Sequence, residues 1–109
     1  MSYEVRLEKG YAVVGLSGEV DLYKSPDARA VILKCIGDGQ HTLVDLSQVD
    51  YIDSSGVASL VEGLQMARDN SLSFGLVGVS NTAMNVLKLA RLDKVFPLYA
   101  SVESAPATS

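Results

Sequence analysis

The stretch that most narrows the fold of this chain is a strand-like run, a serine-bearing loop and a regular amphipathic helix in direct succession. Thr42-Leu43-Val44-Asp45-Leu46 is short, apolar and β-branched, and after a few turn-prone residues Tyr51-Ile52 leads into Asp53-Ser54-Ser55-Gly56. Downstream, Val57, Leu60, Val61 and Leu64 recur at the i, i+3, i+4, i+7 spacing that lines one face of a helix. Strand, loop and helix in that order are the building unit of an α/β fold, and the rest of the chain has to supply the remaining layers.

Ahead of this unit, Val5-Arg6-Leu7 reads as an edge strand, Glu8-Lys9-Gly10 as a turn and Tyr11-Ala12-Val13-Val14-Gly15-Leu16 as a second strand, together a hairpin. Ser17-Gly18-Glu19 is expected to break that strand, and Val20-Asp21-Leu22-Tyr23 to cross to a helix near Ser25-Pro26, with serine as cap and proline in the first turn. Ala28, Val31, Ile32, Cys35 and Ile36 form its inward face, and Gly37-Asp38-Gly39 ends it. After the central helix stops near Asp69-Asn70, Ser73-Phe74-Gly75-Leu76-Val77-Gly78-Val79 reads as a strand buried on both faces. A third helix follows, capped by Ser80 or Asn81, with Ala83, Val86, Leu87 and Ala90 on one face and Met84 and Leu89 off it, either as exposed partner contacts or, more commonly for such a pattern, as the second face of a doubly covered helix. Val95-Phe96-Pro97-Leu98-Tyr99 is expected as a short last strand.

The predicted order is therefore β-β-α-β-α-β-α-β, an α/β domain with a mixed sheet of about four to five strands and mostly parallel crossovers. Residues 1–100 make up that domain, and residues 101–109 a tail that is partly helical or frayed. At 109 residues the chain suits one domain. With 48% hydrophobic and 20% charged residues the composition is that of a globular protein.

Charge and residue counts exclude several function classes. Thirteen acids against nine bases give a net charge of −4 with no basic cluster, which argues against nucleic acid and anionic lipid as partners. Cys35 is the one cysteine and His41 the one histidine, so neither a disulfide nor a closed zinc site can be built from the usual ligands. The apolar runs are too short for a bilayer span and Met1-Ser2-Tyr3-Glu4 starts no signal peptide, which points to a cytoplasmic protein without membrane insertion. A serine hydrolase would need a base, and His41 has no spacing that ties it to Ser54. Glu19 and Asp21, two apart, are either a paired-acid site or a solvated loop rim, with Asp21 placed to orient the Asp53 loop.

The serine loop itself has two readings. Asp53, Ser54 or Ser55 caps the central helix through a side-chain oxygen that accepts from a free backbone N–H. Alternatively, a serine at this helix start carries phosphate, whose charge of about −1.5 to −2 meets the positive end of the helix dipole.

The chain resembles the STAS domains, and within them the small single-domain anti-sigma factor antagonists of bacteria. Ser17-Gly18-Glu19-Val20-Asp21 resembles the family's turn after the second strand, Asp53-Ser54-Ser55-Gly56 its phosphorylation loop, and Leu89-Ala90-Arg91-Leu92-Asp93-Lys94-Val95-Phe96 the end of its third helix and last strand. The resemblance implies a mixed sheet with helices largely on one face. It also implies partner switching: the unphosphorylated domain binds an anti-sigma factor that is also a serine kinase, phosphorylation of the loop serine releases it, and a PPM-type phosphatase restores it. On this resemblance Ser54 is the acceptor, with Ser55 second, and Asp21, Asp53 and Gly56 join both serines in the partner-binding surface. ATP belongs to the kinase, and this chain, a non-enzymatic regulator, holds no cofactor. Two departures stand out: Gly56-Val57-Ala58-Ser59 where the family often has Gly-Leu-Gly, and Asn70-Ser71-Leu72 in place of a glycine pair. The alternative is a constitutive interaction subunit of another complex, such as a lipid-transport ABC system, with Ser54 only a cap or interface residue.

Overall fold

The computed structural model describes residues 3–108. Its elements run β1 (Glu4–Glu8), β2 (Tyr11–Val20), α1 (Ser25–Gly37), β3 (His41–Ile52), α2 (Ser54–Asp69), β4 (Phe74–Val77), α3 (Asn81–Leu89) and β5 (Leu98–Tyr99), the order read from the sequence, and a 3-10 turn at Val102–Ser104 follows. The five strands form one sheet in sequential order, with β1 antiparallel to β2 and every later pair parallel. The β1–β2 hairpin closes through Lys9 and Gly10, whose φ values of +57° and +85° are those of a two-residue turn that follows the sheet's own twist.

Side-chain alternation divides the core in two. Ala12, Val14, Leu16, Val44, Leu46, Phe74 and Leu76 face the layer formed by α1, α2 and α3. Tyr11, Val13, Leu43 and Val77 point the other way, where Val102 and Ala105 cover them. The helices thus lie on one face, and β4 is buried on both, as its continuous apolar run predicts.

Several boundaries differ from the sequence reading. Ser17-Gly18-Glu19 does not break β2: the strand continues to Val20, and the ladder with β3 absorbs register shifts between Gly15 and Ser17 and between Gly18 and Glu19. The same partnership keeps the polar residues Ser47, Gln48 and Asp50 inside β3, which makes one twelve-residue strand of what reads as two pieces. Local polarity favours a turn there, but a neighbouring strand that supplies backbone partners overrides it.

Lys24 rather than Ser25 is the N-cap of α1, and it makes no side-chain cap bond. The face of α3 is shorter than the pattern implies: Ala83 and Leu87 are buried, Val86 is half-buried, and Ala90 lies exposed beyond the last helical residue. Leu89 is 86% exposed, so α3 is covered on one side only. The last strand is confined to Leu98–Tyr99, while Phe96 turns into the core beside Phe74, ring centroids 6.4 Å apart.

The tail, read as partly helical or frayed, carries the 3-10 turn at Val102–Ser104 and is docked on the sheet. Val102 and Ala105 are buried, the Lys9 ammonium donates to the carbonyls of Glu103 and Ala105, and the Tyr11 hydroxyl donates to the Pro106 carbonyl at 2.7 Å. Without this strap the second face of the sheet would expose Tyr11, Val13, Leu43 and Val77 to water.

Candidate functional site

The last ladder pair between β2 and β3 is Val20 with Ile52, so the two strands leave the sheet side by side. Asp21 and Asp53 are the next residues on each, and the Asp53 amide donates to the Val20 carbonyl at 3.3 Å. This edge, at the carboxyl ends of parallel strands, is where α/β sheets generally place their function.

Each aspartate builds the entry to a helix. Asp21 Oδ1 accepts from the Tyr23 and Lys24 amides at 3.0 and 3.1 Å, and its carbonyl accepts from Lys24 and Ser25. Asp21 therefore shapes the turn that leads into α1, its carboxylate holding the two amides before the helix and its carbonyl the Ser25 amide, with no side-chain cap on the helix itself. Asp53, in an extended conformation, is the N-cap of α2, and its Oδ1 accepts from the Ser55 amide at 2.9 Å, the Gly56 amide at 3.2 Å and the Ser55 hydroxyl at 2.5 Å. These bonds satisfy donors that a helix start leaves free. The Ser55 hydroxyl bond, followed by the Gly56, Ser55 and Leu22 amides, holds the Asp53 carboxyl below the usual carboxylate range, so it is charged at neutral pH.

The two serines consequently differ. Ser55 is half-buried and its hydroxyl is committed to Asp53. Ser54, the first residue of α2, is exposed, and its hydroxyl makes no hydrogen bond among the described residues. Gly56 is buried where α2 meets the strand ends: a Cβ on it would come within 2.6 Å of Ile52 Cγ1 and 2.7 Å of the Val20 carbonyl oxygen. One turn on, the buried Ser59 hydroxyl donates to the Ser55 carbonyl at 3.2 Å and reaches the Ser25 carbonyl at 3.4 Å, which fastens the start of α2 to the start of α1.

The five residues singled out from the sequence, Asp21, Asp53, Ser54, Ser55 and Gly56, are thus gathered at one end of the sheet. Sequence reasoning missed their apolar surroundings. Leu22 is 66% and Tyr23 84% exposed on the turn after Asp21, and Tyr51 is 48% exposed just before the loop. The signal was present as two large apolar residues inside a turn, belonging to no periodic face. Glu19 and Asp50 are exposed on the same strand ends, so the rim is acidic as well as apolar.

The remaining reactive side chains lie elsewhere. His41 opens β3 at the end opposite the serines, and its Nδ1 accepts from the Ser73 amide at 2.9 Å. Cys35 is buried in α1, and burial raises its thiol above the ordinary range. Among the described residues no group of three or more His, Cys, Asp and Glu is arranged to hold a metal ion. No helix there is long and apolar enough to cross a membrane.

A single sheet with its helices on one face, and a helix start presenting an exposed serine at the carboxyl ends of the parallel strands, define a small α/β domain of one recognisable class. The chain belongs to the STAS domain family, whose model matches residues 2–105. Among its relatives, the anti-sigma-F factor antagonist RsfB of Mycobacterium tuberculosis is 30% identical over 97 residues, covering 88% of this chain and 79% of that one. The anti-sigma-B factor antagonist of Bacillus subtilis is 22% identical over 94% of both chains. Of solved structures, an anti-sigma factor antagonist from Mycobacterium paratuberculosis superposes with a TM-score of 0.81 at 28% identity, over 94% of this chain and 87% of that one. An anti-sigma-factor antagonist (STAS) domain protein from Planctomyces limnophilus has the same fold, with a TM-score of 0.85 at 22% identity over 94% and 93% of the two chains.

Proposed function

We propose that this chain is a cytoplasmic, non-enzymatic anti-sigma factor antagonist that works by partner switching, with Ser54 as the phosphate acceptor. The observation that carries the reading is the unequal state of the two serines. Ser54 offers an exposed, unengaged hydroxyl at the first position of α2, whereas Ser55 spends its hydroxyl on Asp53. Phosphate there meets the positive end of the α2 dipole, which favours it, and the charged Asp53 carboxylate, which opposes it. Because the two effects offset locally, the main consequence falls on whatever docks against this end of the sheet.

The partner is an anti-sigma factor with serine kinase activity, which brings its own ATP, and a PPM-type phosphatase reverses the modification. Its docking face is basic around an apolar patch, matching Asp21, Asp53 and Glu19 around Leu22, Tyr23 and Tyr51. Relatives named as anti-sigma factor antagonists support this assignment.

Intact-mass and peptide mass spectrometry of the protein from its native cells, with and without phosphatase, tests the proposal. The expected result is one phosphate on Ser54 that phosphatase removes. Phosphate on Ser55 instead overturns the choice of acceptor. Its absence from both serines across growth and stress conditions overturns the switch and leaves a constitutive STAS subunit, such as that of a lipid-transport ABC system, with the serines as interface residues.

A further inference from the structure

The two edges of the sheet are unequal. β5 is a two-residue strand, whereas β1 offers a five-residue edge with regular pairing to β2, no proline and no bulge. Such an edge presents a row of unpaired backbone groups, the usual template for another strand. Val5 and Leu7 stand opposite Val14 and Ala12 on the helix side of the sheet, yet they remain 46% and 73% exposed because the helical layer does not extend over them. Glu4, Arg6 and Glu8 alternate with them on the other face.

We propose that β1 pairs antiparallel with β1 of a second copy of this chain, in the register that sets Val5 opposite Val5, joining two sheets into one. The charges select that register. Centring the pair on Arg6 sets Val5 against Leu7 but Arg6 against Arg6 and Glu4 against Glu8, which is repulsive along the whole charged face. Centring it on Leu7 matches Arg6 with Glu8 but leaves Val5 facing Lys9. Centring it on Val5 places Arg6 opposite Glu4 twice and Leu7 opposite Tyr3 twice, with Glu8 set against no charge, so no like charges and no charge–apolar pair face each other along the strand. The axis passes through the edge strand, away from the carboxyl ends of β2 and β3, so both serine loops stay open in the dimer.

Sedimentation of the full chain over a concentration range reaching millimolar, together with single-cysteine cross-linking, tests the pairing. The wild type is expected to show a reversible monomer–dimer equilibrium that Val5→Lys abolishes by setting two ammonium groups on the axis. Under mild oxidation Val5→Cys is expected to form a covalent dimer, since directly opposed positions on antiparallel strands approach disulfide geometry, while the buried Cys35 contributes nothing. Glu4→Arg with Arg6→Glu restores the dimer that Arg6→Glu alone loses. A monomer throughout the range, a dimer that survives Val5→Lys, or cross-linking at Leu7→Cys in preference to Val5→Cys overturns the proposal.

Discussion

Asp53 and Ser55 are joined by two bonds to one carboxylate oxygen: the Ser55 hydroxyl and amide both donate to Asp53 Oδ1, and the Gly56 amide adds a third. This cluster fixes the first turn of α2 and leaves the neighbouring Ser54 with its side chain in solvent. Cap and proposed phosphate acceptor are therefore different residues on one turn, and substitutions separate them.

Asp53→Ala lowers Tm because it strips the first turn of its acceptor, whereas Asp53→Asn, which keeps an oxygen at the same place, lowers it less. Ser54→Ala, at an exposed position with no described bond, leaves stability within about 0.5 kcal/mol of wild type. Thermal unfolding followed by circular dichroism separates the three variants.

The Asp53 bonds also make stability depend on pH with a fixed sign. The folded-state value of this carboxyl is depressed, first by the Ser55 hydroxyl bond. Its contribution is fully present above the ordinary carboxylate value of about 3.9 and is lost as pH falls through the depressed folded-state value. Denaturation of wild type and Asp53→Asn across pH 7 to 2 checks this: the gap between them stays constant near neutrality and closes in acid.

Gly56→Ala destabilises the domain by about 1–3 kcal/mol, because the added methyl meets the Val20 carbonyl oxygen, which cannot swing aside as a side chain can. Gly63→Ala is the comparison. Its methyl would come within 2.7 Å of Ile32 Cγ2 and 3.0 Å of Phe74 Cε1, both held in the buried core, so urea titration is expected to show a loss of stability there too.

Tyr23→Ser, at an 84% exposed position, leaves folding unchanged within about 0.5 kcal/mol and weakens binding of the anti-sigma partner. Calorimetric titration of the two purified proteins reads both effects, and binding equal to wild type removes Tyr23 from the docking surface.

Much of this was legible in the sequence because it rests on short-range rules. The periodicity of Val57, Leu60 and Leu64, the unbroken apolar run of β4 and the cap-forming Asp53 each encode a structure that neighbours within a few residues determine. What was not legible depends on partners distant in the chain. Ser47 and Asp50 read as turn residues until β2 is seen to hold them in a strand. Ser25 reads as a cap until the carboxylate of Asp21 is seen to take the amides before it. The tail carries an ordinary loop composition, and only the bare face formed by Tyr11, Val13, Leu43 and Val77 explains why Val102 and Ala105 pack there.

The C-terminal strap also sets a timetable for the nascent chain. Lys9 and Tyr11 find their carbonyl partners at Glu103, Ala105 and Pro106, between 94 and 96 positions later. While the chain is being synthesised, the helix-covered side of the sheet can assemble as each helix emerges, but the opposite side stays uncovered until residues 102–106 leave the ribosome. Contacts that span nearly the whole chain form late, and an uncovered apolar sheet surface is prone to aggregation in the interval. A truncated or stalled product of this sequence is thus a natural client for chaperones even when its three helices are already in place.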